Sequence, residues 1–334
     1  MAVPAETARI ETRRSILPRV QRAVAPIREA RGMQRTMLWV GAAITSAFVL
    51  MALLAPLVSP YHFDQYRSGG TRFPQLAAPS AQHLMGTTVT SYDVFSRVIW
   101  GAQTEIKVVL ISLVMSLSIG VPLGLISGYF AGKLDRVLVL IMDAMLAFPF
   151  LLLAIVIAFL LSDKVGQGIL TAAIAITVAY IPLYFRVIRN HVISIREESF
   201  VEAARAMGAR PFTVIRKYVF FNVIQNVPPL ATLNAADAIL LLTALGFLGY
   251  GIQPTQGAEW GYDISRAVSD ASSGIWWTGL FPGLAIVLLV TGLTLLGEGL
   301  NETINPVLRR RARTNVEFGP SSPSPVIETE TEGP

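Results

Sequence analysis

The chain has 334 residues, 53% of them hydrophobic and only 15% charged, with a mean hydropathy of +0.55 and a net charge of +5. Ordinary soluble domains carry roughly 25% charged residues, so this composition excludes them and points to a membrane protein. The absence of cysteine excludes disulfides, thiolate nucleophiles and cysteine metal sites, and three histidines far apart (His62, His83, His191) suggest no metal centre.

Residues 1–36 carry eight arginines against three glutamates, with Pro18 and Pro26 interrupting any long helix. They read as a basic cytoplasmic tail near an anionic membrane surface, without the aromatic or motif support that nucleic-acid binding would need. Six apolar stretches follow, each long enough to cross ~30 Å of hydrocarbon. The first is expected within 37–58, and 59–107 form a long extracytoplasmic loop. In that loop Val94, Phe95, Val98 and Ile99 make one apolar face, which predicts a helix lying on the outer membrane surface. A permease core over 108–305 holds the other spans: Val108–Phe130, Val137–Leu161, Val165–Phe185, one within Phe221–Leu248, and Ile275–Leu296. Prolines 122, 149, 182, 228, 229 and 282 sit inside these spans, which argues for a packed, kinked bundle. Residues 306–334 form a second tail, rich in Pro, Ser, Glu and Thr from 314 onward, and read as largely disordered.

Charge placement sets an expected orientation. The N-terminal tail (eight basic residues), Arg186–Lys217 (seven) and Arg309–Arg313 (four) fall on one side of the six spans. The opposite side carries Gly249–Gly274, with one arginine and three acids. The positive-inside rule then places both termini in the cytoplasm.

Between the fourth and fifth spans lies Ser199–Gly208, SFVEAARAMG. Ser199 and Glu202 have the spacing of a capping box, Gly208 supplies a left-handed stop, and Pro211 is suited to open a second helix. Phe200, Ala203, Ala204 and Met207 fall at i, i+3, i+4 and i+7 and are expected to share one face. Glu202-Ala203-Ala204 with Gly208 matches the EAA-x3-G signature of membrane subunits of ABC importers. The wider chain resembles the C-type permease of dipeptide/oligopeptide importers. The resemblance runs through His83, Gly86, Thr87, Asp93, Val94, Ser96, Arg97 and Gly101, then Gly128-Tyr129-Phe130, Leu134-Asp135-Arg136, Asp143 and Phe148-Pro149. It resumes with Gly246 to Gly249, Gln253-Pro254, Glu259-Trp260-Gly261, Phe281-Pro282-Gly283 and Gly297 to Pro306. Among the departures, Thr88 and Leu241-Leu242 stand where relatives often carry acids, and Phe221 where they carry proline.

The resemblance implies an all-α membrane protein with the six-span fold of a type I ABC importer, in a prokaryotic cytoplasmic (inner) membrane. It also implies its partners in the lipid bilayer: a homologous second permease, two ABC ATPase subunits and an extracytoplasmic substrate-binding protein. In the family the EAA helix couples to the ATPase. No cofactor is expected on this chain, and ATP and Mg belong to the partner ATPases. Gly132-Lys133 lacks the Ser/Thr and upstream glycine of a P-loop, and no HExxH or GxSxG is present, so no enzyme is expected. Peptides lead as cargo, with nickel chelates, glutathione or oligosaccharides as alternatives. A secondary transporter is the remote rival. Two acids fall within spans. Asp143 reads either as a buried, hydrogen-bonded carboxylate joining helices or as a wall of the substrate path. Asp237 reads either as a structural carboxylate or as part of the path, where Asn226 and Asn234 at roughly helical spacing would join it in a polar stripe facing a shared pore.

Overall fold

The computed structural model describes residues 33–304, so nearly all of the expected basic tail over 1–36, and the whole of the tail over 306–334, lie outside the described residues. α1 (Met33–Leu53) and the short α2 (Ala55–Val58) precede a loop holding a two-residue hairpin, β1 (Arg67–Ser68) against β2 (Thr71–Arg72). α3 (Val94–Phe130), α4 (Gly132–Leu146), α5 (Phe150–Val165) and α6 (Ile169–Arg196) follow. The connector is α7 (Ser199–Ala206) and α8 (Pro211–Val214), then a π-turn at Ile215–Val219, α9 (Phe220–Val223) and a 3-10 turn at Ile224–Asn226. α10 (Val227–Phe247), α11 (Trp260–Ser272) and α12 (Trp277–Ile304) complete the described chain. Five helical segments are long and apolar enough to cross a membrane, or six if the bent pair α4–α5 is one span.

α3 is the spine of the bundle. Asp93 caps it, its carboxylate accepting from the Ser96 amide at 2.8 Å, and the helix then runs unbroken for 37 residues, ~55 Å. This overturns the surface helix expected around Val94–Ile99. Nothing between Ile99 and Val108 breaks the helix, and Val94, Val98 and Ile99 are buried within the protein. The expected loop over 59–107 is therefore already helical from Val94.

Ser112, Ser116, Gly120, Gly124 and Gly128, every fourth residue of α3, are all buried along one stripe. A Cβ on Gly120, Gly124 or Gly128 would come within 2.8 Å of Tyr184 Cβ, the Phe185 carbonyl or the Arg189 carbonyl of α6. Small residues at this spacing let two membrane helices approach closely, and α3 and α6 form the main helix pair. α1 and α12 pair in the same way, with Gly292 against Ile44 and Gly299 against Leu38.

The prolines divide. Pro122, Pro182 and Pro282 stay inside continuous helices, and Pro228 and Pro229 fall in the first turn of α10, where no amide donor is needed. Pro149 instead breaks the span expected over Val137–Leu161, and α4 and α5 meet at 94°. Proline lacks the amide proton and pushes the residue before it, Phe148, out of the helical region.

Candidate functional site

The connector is held by a buried apolar cluster. Val201, Val214, Ile215 and Val219 pack with Ile188 and Val192 of α6 and with Val121 and Leu125 of α3. Arg196 donates to the Gly128 carbonyl at 3.0 Å, and the Arg205 guanidinium lies 5.2 Å from the centre of the Tyr129 ring. Nearby, Arg189 grips Asp135 through two bonds of 2.6 and 2.7 Å, which ties the start of α4 to α6.

The end of α7 forms as its sequence predicts. Gly208 has φ +81°, its amide bonds the Arg205 carbonyl at 2.9 Å, and the Ala209 amide bonds the Ala204 carbonyl at 3.0 Å. This is a Schellman stop, and Pro211 opens α8 three residues later. The start differs. Glu198, not Ser199, is the cap residue, and no side chain caps the helix. Only Glu197 and Glu198 separate α6 from α7, and the Glu198 carbonyl already accepts from Val201 (2.9 Å) and Glu202 (3.2 Å). Ser199 is thus inside the first turn, where the expected capping box has no geometry.

The four-residue face also divides. Ala204 is only 1% exposed and, with Val201, faces the bundle. Val201 is the bulky branched residue of this short helix, and burying it carries Ala204, three residues on, to the same side. Phe200, Ala203 and Met207 remain outside, Met207 at 78%, and Phe212 of α8 joins them at 73%. Glu202 is exposed as well. The result is an apolar outer edge on a rigidly seated connector.

The path candidates differ in exposure. Asp143 pairs with Arg186 at 2.8 Å and does join α4 to α6, but the two side chains are 53% and 54% exposed, so the expected buried carboxylate is corrected to a half-exposed one. Asn226 lies in the 3-10 turn before α10 and is exposed, as is Asp237. Asn234 is buried and lines a small, partly open cleft with Ser112, Ser116, Tyr180 and Tyr184. Asn226 and Asp237, eleven residues or about three turns apart, come to one exposed face, whereas Asn234 between them turns to the buried side of α10.

A second polar region, unrecognised as a unit in the sequence, lies at the other end of α3. Arg97 donates to both oxygens of Asp263 on α11, at 2.7 and 2.9 Å, and both side chains are buried. Burial raises the Asp263 carboxyl, and the Arg97 guanidinium opposes that shift. Glu259 caps α11, accepting from Gly261 at 2.6 Å and Tyr262 at 2.7 Å. Burial pushes its carboxyl up to about 8. Trp260, fully buried over Gly101, donates to the Val98 carbonyl at 3.2 Å. His83 bonds Asp93 at 2.8 Å above the start of α3. The sequence signal was present only as scattered polar residues flanking apolar runs, with partners more than 150 positions apart.

Residues 120–310 match the family described as binding-protein-dependent transport system inner membrane component. A dipeptide transport system permease protein of Alkalihalophilus pseudofirmus is 36% identical over 289 residues, covering 86% of this chain and 92% of the relative. A di/tripeptide transport system permease protein of Pseudomonas aeruginosa is 36% identical over 266 residues, covering 79% and 86%. A glutathione transport system permease protein of Pectobacterium atrosepticum is 30% identical over 262 residues, covering 78% and 84%. Among solved structures, the MetNI methionine ABC transporter in inward-facing conformations aligns with a TM-score of 0.54 at 20% identity, covering 63% of this chain and 96% of that one, a likeness of fold. The chain belongs to the binding-protein-dependent transport system inner membrane components, the permeases of ABC importers.

Proposed function

We propose that this chain is one of two permeases enclosing the path for di- or oligopeptides in an ABC importer, driven from the cytoplasm through α7. The apolar edge of Phe200, Met207 and Phe212, standing outside a connector that is otherwise tightly seated, is the observation that carries the reading. Exposed side chains of this size on an amphipathic helix suit a groove in a partner. The partners are a homologous permease, two ATPases that bind ATP and Mg, and an extracytoplasmic substrate-binding protein. This chain passes substrate and leaves hydrolysis to the ATPases. Peptide cargo rests on the peptide-transport relatives, and glutathione is the second reading because one relative carries that name.

Movement of the ATPases would push on α7, and the buried cluster beneath Val201 would pass that push to α3 and α6 as rigid rods. The basic residues of Arg186–Lys217 support a cytoplasmic connector in the inner membrane, with both termini on the same side. The test is peptide uptake by vesicles containing the assembled importer. ATP-dependent accumulation supports the reading, and uptake driven by an ion gradient without ATP overturns it. A topology reporter at Ser68 or Gln256 is expected outside and one near Arg196 inside; the reverse would defeat ATPase docking on α7.

A further inference from the structure

We propose that Glu105 and Glu259 hold a single proton between them, and that this proton fastens α11 to α3 at the end of the bundle remote from α7. Glu105 lies on α3 just ahead of the apolar run beginning at Val108, ~35 Å along the helix from Gly128. Both carboxyls are 0% exposed. Neither oxygen of Glu105 receives a hydrogen bond of good geometry, and the groups facing them are the Trp260 backbone amide, a weak donor, and the Glu259 carboxyl. Glu259 is fixed in place because its two oxygens already take the Gly261 and Tyr262 amides. Two carboxylate anions in contact away from water repel strongly and cannot bond each other. One proton turns that repulsion into an O–H···O⁻ hydrogen bond, the short and strong kind.

The surroundings offer little else to neutralise the pair. Asp263, one turn along α11, is already matched by Arg97 from α3. Arg97 leaves Nη2 without a partner, yet that atom bonds neither oxygen of Glu105. α10 presents Gly246, where a Cβ would overlap the Glu259 carboxyl, and Thr243, whose backbone meets Gly261. α1 presents Phe48, edge-on to Trp260, and the linker before α11 contributes buried Ile252 and Ala258. None of these is ionisable. The His83–Asp93 pair is roughly 18 Å away along α3. A metal ion fits poorly, because hard cations take six or more oxygens, and the described residues contain no group of three His, Asp or Glu side chains placed to hold one.

Sign and window follow from the raised Glu259 carboxyl. A carboxyl held above its ordinary value of 4.5 binds its proton more tightly in the folded protein than in the unfolded chain. The stability it lends is complete below about 4.5 and is lost at alkaline pH, the Glu259 carboxyl at about 8 marking where the pair begins to give up protons.

The test uses the full chain in lipid nanodiscs. Infrared spectra at neutral pH are expected to show a protonated-carboxyl C=O band that Glu105→Gln removes, since the amide takes the donor role without titrating. Thermal unfolding from about pH 5 to about pH 9 is expected to show wild-type stability falling, with Glu105→Gln losing most of that fall. If Glu105→Gln does not fold, loss of the wild-type band on titration through about pH 8 still supports the proposal. A band absent at neutral pH, identical pH profiles for the two proteins, or a divalent cation raising the melting temperature only when Glu105 is present would overturn it.

Discussion

The two ends of the α3–α6 pair invert the usual distribution of side chains in opposite ways. At the connector end, Phe200, Met207 and Phe212 stand outside, while Arg189 and Asp135 pair between α6 and α4. At the α11 end, Arg97, Glu105, Glu259 and Asp263 lie inside, among Trp260, Ile99 and Ile252. An exposed apolar edge costs little when a partner covers it; a buried charge costs several kcal/mol unless its match is already built in. On the proposed function the first end is completed by another chain, whereas the charges of the second are matched within this one. Substitutions at the α11 end that strand a charge or remove room should destabilise this chain. Those at the connector edge should leave it folded and alone.

The largest effect is expected from Arg97→Ala, which strands Asp263 in the interior. It should destabilise the chain by about 3–5 kcal/mol, read as a large drop in melting temperature or in folded yield. Arg97→Ala melting like wild type would end the claim that this end is self-contained. Gly246→Ala comes next. Its Cβ has no room beside the Glu259 carboxyl, so a loss of about 1–3 kcal/mol in thermal unfolding is expected.

At the other end the numbers shrink while function suffers. Gly208→Val forces a branched residue to φ +81° and should cost roughly 1–2 kcal/mol. Misdirection of α8 should also weaken ATPase copurification. Met207→Asp should change stability by no more than about 0.5 kcal/mol and still lower ATPase binding, because the side chain touches little of its own chain. Normal ATPase binding by Met207→Asp would remove the docking role of this edge. Glu202→Ala is expected to be the mildest, within about 0.5 kcal/mol, since Glu202 makes no cap in the fold.

What the sequence showed clearly was the end of α7, set by backbone chemistry at Gly208, although the equally local capping box at Ser199 and Glu202 did not form. Gly208 and Pro211 mark the end of one helix and the start of the next by their own backbone chemistry, and both act as their identities require. The facing of α7 was not legible, because Phe200, Ala203, Ala204 and Met207 satisfy helical spacing as well as Val201 and Ala204 do. Only the pocket formed by Val214, Ile188 and Val192 decides which set goes inward. A charge at Ala204 consequently disturbs the seat of the connector before it can report on docking. The small-residue stripe from Ser112 to Gly128 was readable as a period of four, whereas the partners of Arg97 and Glu105 were set by tertiary structure alone. The prolines teach the same lesson. Pro122, Pro182 and Pro282 carry the same local signal as Pro149, and neighbouring packing determines which helix survives.

The right-angled elbow at Pro149 limits what can lie beside it. α4 and α5 have 15 and 16 residues, ~22 and ~24 Å, so neither alone covers the ~30 Å of a bilayer interior. A crossing made from both puts a bent stretch of main chain, residues 147–149, at membrane depth. The Ala147 and Phe148 amides keep partners at Asp143 and Met145, but hydrocarbon tails offer nothing to the Ala147 and Phe148 carbonyls that a straight helix would have satisfied, so such a stretch persists only against protein or against water. In such a crossing the elbow faces away from lipid. With the apolar flanks of α1 and α12 free to meet acyl chains, this one bend gives an otherwise greasy cylinder an inner and an outer side.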